Sequence, residues 1–151
     1  MSIRGIHHIA LSVPDLDRAR AFYVELLGFE EIFQDGWRDA PLVDRVMGVR
    51  DGAGRAMLVA AGNLYVELFE FERPAPPPQD PAPPVHRYGY THIALDVSDI
   101  DALHRRLCEA GMSFTCPPQT SYGVRTTYGR DPFGNWIELQ QIDDDGLMPR
   151  L

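Results

Sequence analysis

The sequence predicts an α+β fold made of two tandem βαβββ modules, and three observations carry that expectation. The segment Gly5-Ile6-His7-His8-Ile9-Ala10-Leu11-Ser12-Val13-Pro14-Asp15-Leu16-Asp17 recurs as Gly89-Tyr90-Thr91-His92-Ile93-Ala94-Leu95-Asp96-Val97-Ser98-Asp99-Ile100-Asp101, with eight of thirteen positions identical. Near the end of each half, Leu64-Tyr65-Val66-Glu67-Leu68 is echoed by Asn135-Trp136-Ile137-Glu138-Leu139. Between the halves, seven of the thirteen prolines fall in Pro74–Pro84, a stretch that can form neither helix nor central strand. The expected plan is a first module at 1–72, a linker at 73–87, a second module at 88–143 and a tail at 144–151. Together the modules are expected to form a curved mixed sheet of eight strands around a cavity, with helices outside.

Each module opens with a strand. Ile9, Leu11 and Val13 alternate with His8, Ala10 and Ser12, as Ile93, Leu95 and Val97 alternate with His92, Ala94 and Asp96, so one face is aliphatic and the other bears the histidine. A helix follows, with Asp15 as N-cap, Leu16, Ala19, Phe22, Tyr23, Leu26 and Leu27 as its apolar stripe and Gly28 as its stop. Its copy runs from Asp99 through Ile100, Leu103, Leu107 and Ala110 to Gly111. Short strands come next, at Glu30–Gln34, Arg55–Ala61 and Leu64–Phe71, then at Met112–Cys116, Val124–Tyr128 and Asn135–Gln140. Asp131-Pro132-Phe133-Gly134 has the residue order of a type I turn. Pro41 through Gly48 is an insert unique to module one; proline at its start and glycine at its end predict a short helix, either a lid or packing.

Composition excludes several function classes. The formal charge of −8 with a pI near 5.0 leaves no clustered basic surface for nucleic acid. All fourteen basic residues are arginine, and without lysine there is no Schiff base and no P-loop lysine. No apolar run reaches the length of a membrane span and no export signal is legible, so a cytoplasmic protein is expected. Cys108 and Cys116 form no disulfide framework and are expected to be small buried or half-buried thiols.

The site follows from strand parity. In the last strand of each module Val66 and Leu68 alternate with Tyr65, Glu67 and Phe69, and Ile137 and Leu139 with Trp136, Glu138 and Gln140. His8, Glu67, His92 and Glu138 therefore lie opposite the aliphatic rows. A single strand histidine is more often a core residue and a single strand glutamate more often solvated. Four at equivalent repeat positions on one face are a different matter, because a half-buried carboxylate needs a partner and a divalent cation supplies one. The mixed N/O set suits Zn, Ni, Co, Mn or Fe(II). His7, whose counterpart is Thr91, is expected on the opposite face.

The motif His-Ile-Ala-Leu-x-Val-x-Asp before an amphipathic helix, and Asp131-Pro132-Phe133-Gly134-Asn135-Trp136-Ile137-Glu138-Leu139, resemble the vicinal oxygen chelate superfamily. That group includes glyoxalase I, methylmalonyl-CoA epimerase, extradiol dioxygenases, and fosfomycin and bleomycin resistance proteins. The resemblance implies one divalent ion held by His8, Glu67, His92 and Glu138. It further implies an enediolate reaction in which a ligand carboxylate, Glu138 first and then Glu67, moves a proton. Retention of Glu67 points to the glyoxalase and epimerase side, since extradiol dioxygenases take two histidines and one carboxylate. Tyr65, Phe69, Tyr122, Arg125, Trp136 and Gln140 are expected to bind the rest of a small-molecule substrate, and a homodimer is expected. The alternatives are an Fe(II) ring-cleavage dioxygenase and a protein that sequesters a small molecule.

Overall fold

The computed structural model describes residues 2–77, 83–143 and 148–151. The linker positions 78–82 and tail positions 144–147 lie outside the described residues. The chain divides into two compact units, Met1–Pro78 and Gln79–Leu151.

Unit one contains β1 (His8–Ser12), α1 (Leu16–Arg20) continued by a π-helical stretch (Ala21–Leu26), β2 (Glu30–Trp37), α2 (Pro41–Met47), β3 (Ala53–Ala61) and β4 (Leu64–Arg73). Its four strands lie in the order β1-β4-β3-β2, with β1 parallel to β4 and the other pairs antiparallel. Unit two repeats the plan with β5 (His92–Asp96), α3 (Ile100–Glu109), β6 (Ser113–Phe114), β7 (Gln119–Ser121), β8 (Val124–Arg130) and β9 (Trp136–Ile142). Its order is β5-β9-β8-β6, and β7 pairs with β8 as a further strand. The α+β class and the βαβββ plan are as the sequence predicts. The strands form a four-stranded and a five-stranded sheet, so β7 is one strand beyond expectation.

The helices start and stop where side-chain chemistry dictates. Asp15 accepts from Arg18 N at 2.9 Å and Asp99 from Ala102 N at 3.0 Å, each satisfying an otherwise orphaned donor of a first turn. Gly28 and Gly111 then take left-handed conformations, with φ of 82° and 90°, that a side chain would resist. The bond from Leu27 N to Phe22 O, 2.9 Å, widens the end of the first helix into its π turn. The insert is the helix expected, closed by Gly48 at φ 70° and tied down by Asp44, which accepts from Gly52 N at 3.0 Å.

Each core lies between helix and sheet. In unit one Leu16, Ala19, Phe22 and Tyr23 meet Met57, Val59, Val66 and Leu68 among the buried residues; in unit two Ile100 and Leu107 join Ile137 and Leu139. Both cysteines are exposed, contrary to the expectation of buried thiols, because Cys108 falls off the buried stripe of α3 and Cys116 follows β6 in a loop. Among the described residues no helix is long and apolar enough to cross a membrane.

Candidate metal centre

Register aims the ligand candidates. In the parallel pair β1/β4, His8 lies beside Tyr65 and Ala10 beside Glu67, and in β5/β9 His92 lies beside Trp136 and Ala94 beside Glu138. Paired residues share a face, so within each unit the histidine and the glutamate project to the same side, away from the buried rows at Val66/Leu68 and Ile137/Leu139. His8 Nε2 is 3.3 Å from Glu67 Oε2, and His92 Nε2 is 3.1 Å from Glu138 Oε2.

The separation fits a metal edge. Nitrogen and oxygen ligands about 2.0–2.2 Å from one ion, at adjacent positions, stand about 3 Å apart. Each ring is also held by its other nitrogen: Thr91 Oγ1 is 2.8 Å from His92 Nδ1, and His7 Nδ1 is 2.9 Å from His8 Nδ1. In the tautomer that leaves Nε2 its lone pair, Nδ1 is the donor in both contacts, the arrangement that orients metal-binding imidazoles. Within either unit, among the described residues, no third His, Cys, Asp or Glu joins the pair. Each unit thus brings together one histidine and one glutamate.

The two carboxylates differ in their neighbours. Glu138 accepts from Thr126 Oγ1 at 2.7 Å through Oε1 and from Tyr128 Oη at 2.7 Å through Oε2. Tyr128 Oη also lies 3.4 Å from His92 Nε2. Burial, and then the bond to the Glu138 carboxylate, pushes the Tyr128 phenol up to about 12, so it remains a donor at neutral pH. Glu67 instead lies across from Leu58 on β3, with Ala10 on its other side.

Of the expected substrate-binding residues, Tyr65, Phe69, Trp136 and Gln140 share the face of the glutamates. Tyr65 stacks on His7 at 5.1 Å, and Phe69 packs against Trp37 and Phe71 at 5.8 and 5.6 Å. Trp136 donates through Nε1 to Pro83 O at 2.9 Å, and its ring is covered by the Arg130 guanidinium at 3.7 Å. Two residues stand elsewhere. Arg125 pairs with Gln141, one register position from Glu138's row, and therefore faces the helix, where it makes a bidentate pair with Asp101 at 2.8 Å. Tyr122 sits between β7 and β8 at φ 51° and is 83% exposed. His7 also departs from expectation: β1 begins at His8, so strand parity does not extend to it, and its ring lies against Tyr65 and His8.

Thr91, Thr126 and Tyr128 were not singled out from sequence. Their signal was present, since Thr126 and Tyr128 are two apart on a strand antiparallel to Glu138's. It was hidden because Ala56 and Leu58 occupy the matching positions of module one, and comparing repeats keeps what the halves share.

The chain belongs to the Glyoxalase/Bleomycin resistance protein/Dioxygenase superfamily, whose family model matches residues 5–139. It is 32% identical to YwkD, an uncharacterised protein of Bacillus subtilis (strain 168), over 143 residues that cover 93% of this chain and 99% of that protein. It is likewise 32% identical over 144 residues to a 2-epi-5-epi-valiolone epimerase of Actinomyces sp, covering 89% of this chain and 78% of the epimerase. A glyoxalase family protein of Bacillus cereus has the same fold, with a TM-score of 0.84 at 23% identity over 93% of this chain and 95% of that one.

Proposed function

We propose that this protein is a divalent-metal-dependent isomerase or lyase acting on a small molecule with adjacent oxygens, through an enediolate. The observation that carries the reading is the matched pair of half-sites, each setting an imidazole Nε2 about 3 Å from a carboxylate oxygen with Nδ1 already held. The likeness to the superfamily supports one ion for His8, Glu67, His92 and Glu138, and Zn, Ni, Co, Mn and Fe(II) are all compatible with these donors. When bound, the ion supplies Lewis-acid stabilisation of negative charge developing on the adjacent oxygens of the substrate.

The chain's own groups do the rest. A glutamate carboxylate, Glu138 or Glu67, takes the proton from the carbon beside a carbonyl. The C–H electron pair becomes a carbon–carbon double bond while the carbonyl π pair moves onto its oxygen to give the enediolate, and the carboxyl group then returns the proton to one of the two carbons. Tyr65, Phe69 and Gln140, each on the glutamate face of its own sheet, receive the non-reacting part of the substrate. The likeness to an epimerase supports the isomerase branch over ring cleavage, and so does Glu67, which makes the same contact with its histidine as Glu138 makes.

Metal analysis of protein purified without chelator is the direct test. About one divalent ion per chain is expected, and a metal-free protein that also fails to take up added Zn(II) or Co(II) sinks the proposal. The same reading includes a homodimer, which sedimentation showing only monomer at micromolar concentration would exclude.

A further inference from the structure

Outside its buried stripe, α3 carries a histidine and a cysteine one turn apart. His104 Nε2 lies 3.7 Å from Cys108 Sγ, because residues four apart stand side by side on a helix. The imidazole is backed by Phe114, whose ring centroid is 4.5 Å from its own. Phe114 is in turn seated against Gly129 of β8, where a Cβ would stand 2.7 Å from the phenyl ring, so glycine at that position permits the approach. The helix packs on the side of its sheet that carries Ile137 and Leu139, which sets this pair on the other side of the sheet from Glu138.

A thiolate sulfur about 2.3 Å and an imidazole nitrogen about 2.0 Å from one ion stand about 3.5 Å apart at a tetrahedral angle and about 3.7 Å apart at a trigonal one. The separation of 3.7 Å therefore suits an ion held between the two side chains without movement of the helix. Cys108 also lies in the last turn of α3, the negative end of the helix dipole, which favours a cation. Thiolate is a soft ligand that selects Cu(I) or Zn(II), and imidazole accepts both. Two donors fall short of the four that a structural Zn(II) site takes, so Zn(II) is held weakly by such a pair, whereas Cu(I) is stable with two or three ligands. We propose that His104 and Cys108 form a second metal site, separate from the candidate metal centre, for a soft monovalent cation of the Cu(I) type. The Cys108 thiol releases its proton as the ion binds, neutral His104 supplies the Nε2 lone pair, and Phe114 positions the ring. Cys116 is the internal comparison: it too is a free, exposed thiol, but it meets the Thr115 hydroxyl at 3.8 Å in place of an imidazole.

Anaerobic titration of the full-length protein with Cu(I), kept reduced by ascorbate and in competition with the chromophoric chelator bicinchoninate, tests this. Uptake of about one equivalent is expected, with Cys108→Ser lowering the affinity by about 100-fold and His104→Gln by about tenfold, as the loss of a soft and of a borderline ligand should. Cys116→Ser should leave it within about twofold, since that thiol shares no partner with the pair. X-ray absorption at the copper edge should show a sulfur and a nitrogen neighbour, and the nitrogen should be lost in His104→Gln, a change that capture by a single thiol would not produce. Neither His104 nor Cys108 belongs to the buried stripe of α3, so both variants should remain folded, as circular dichroism would show. No uptake against the chelator, equal losses in Cys108→Ser and Cys116→Ser, or an affinity unchanged by His104→Gln would each overturn the site.

Discussion

Asp131 illustrates how a single side chain can set the aim of a site it does not touch. It is only 4% exposed, and its carboxylate accepts from Phe133 N at 2.9 Å, Asn135 N at 2.7 Å and Asn135 Nδ2 at 2.8 Å. These bonds close the turn from which β9 departs with Trp136 and Glu138. Asp131→Ala would strand buried donors, each costing about 1–3 kcal/mol, so a loss of about 3 kcal/mol in urea unfolding is expected. Asp131→Asn retains one acceptor oxygen and should lose less. The residue order of this turn was legible in the sequence as a turn signal. That its aspartate is buried and accepts from Phe133 and Asn135 was not, because the same order serves equally well in a solvated loop. A similar line divides the site: Glu67 and Glu138 could be found from period-2 alternation, whereas the hydroxyl partners of Glu138 depend on which strand lies beside β9.

At the scale of elements, the duplication preserves a clamp at each helix start. Glu70 Oε2 accepts from Leu16 N at 2.8 Å and from Arg55 at 2.6 Å, and Arg55 reaches Asp17 at 3.3 Å. In the second copy Gln141 Oε1 accepts from Ile100 N at 3.0 Å, and Arg125 pairs with Asp101. Arg125 matches Arg55 in register, which accounts for it without a ligand. Arg125→Gln should therefore lower stability and leave Co(II) affinity within about twofold, on the ground that sites without shared partners behave independently. Because an uncharged Gln141 suffices in module two, Glu70→Gln should keep the cap, while Glu70→Ala should cost about 1–2 kcal/mol. The Arg125 hydrogen bond lowers the Asp101 carboxyl from its ordinary 3.8. A lowered carboxyl stabilises the fold above its ordinary value and loses that contribution as pH falls through the lowered one. The stability gap between the protein and Asp101→Asn should accordingly be widest at neutral pH and shrink below 3.8, as urea midpoints at pH 7 and pH 3 would show. From sequence, Arg125 reads either as a holder of a substrate carboxylate or as half of a surface salt bridge, because an arginine near a strand end reads alike on either face; register sets it beside Gln141, paired with Asp101.

At the scale of the molecule, the question is whether two half-sites act as one. Two ligands apiece would hold an ion weakly and give two equivalents per chain; four ligands around one ion, the number proposed above, would give a single tight equivalent. Ligand that binds only the folded chain stabilises it by about 2.7 kcal/mol at 100 times its dissociation constant. For a chain of this size that corresponds to a rise of about 5–10 °C in Tm. Zn(II) titration of metal-stripped protein should therefore saturate at one equivalent per chain, with a single cooperative melting transition moved upward over that range and returned to its starting value by chelator. Glu138→Gln at the same Zn(II) concentration should lose most of the shift, because a 100-fold weaker site at an unchanged concentration stabilises by only about 0.4 kcal/mol. Saturation at two equivalents, or a shift confined to one of two separate transitions, would mean that the repeats bind ions independently. The duplication would then have produced two weak sites in place of one shared centre.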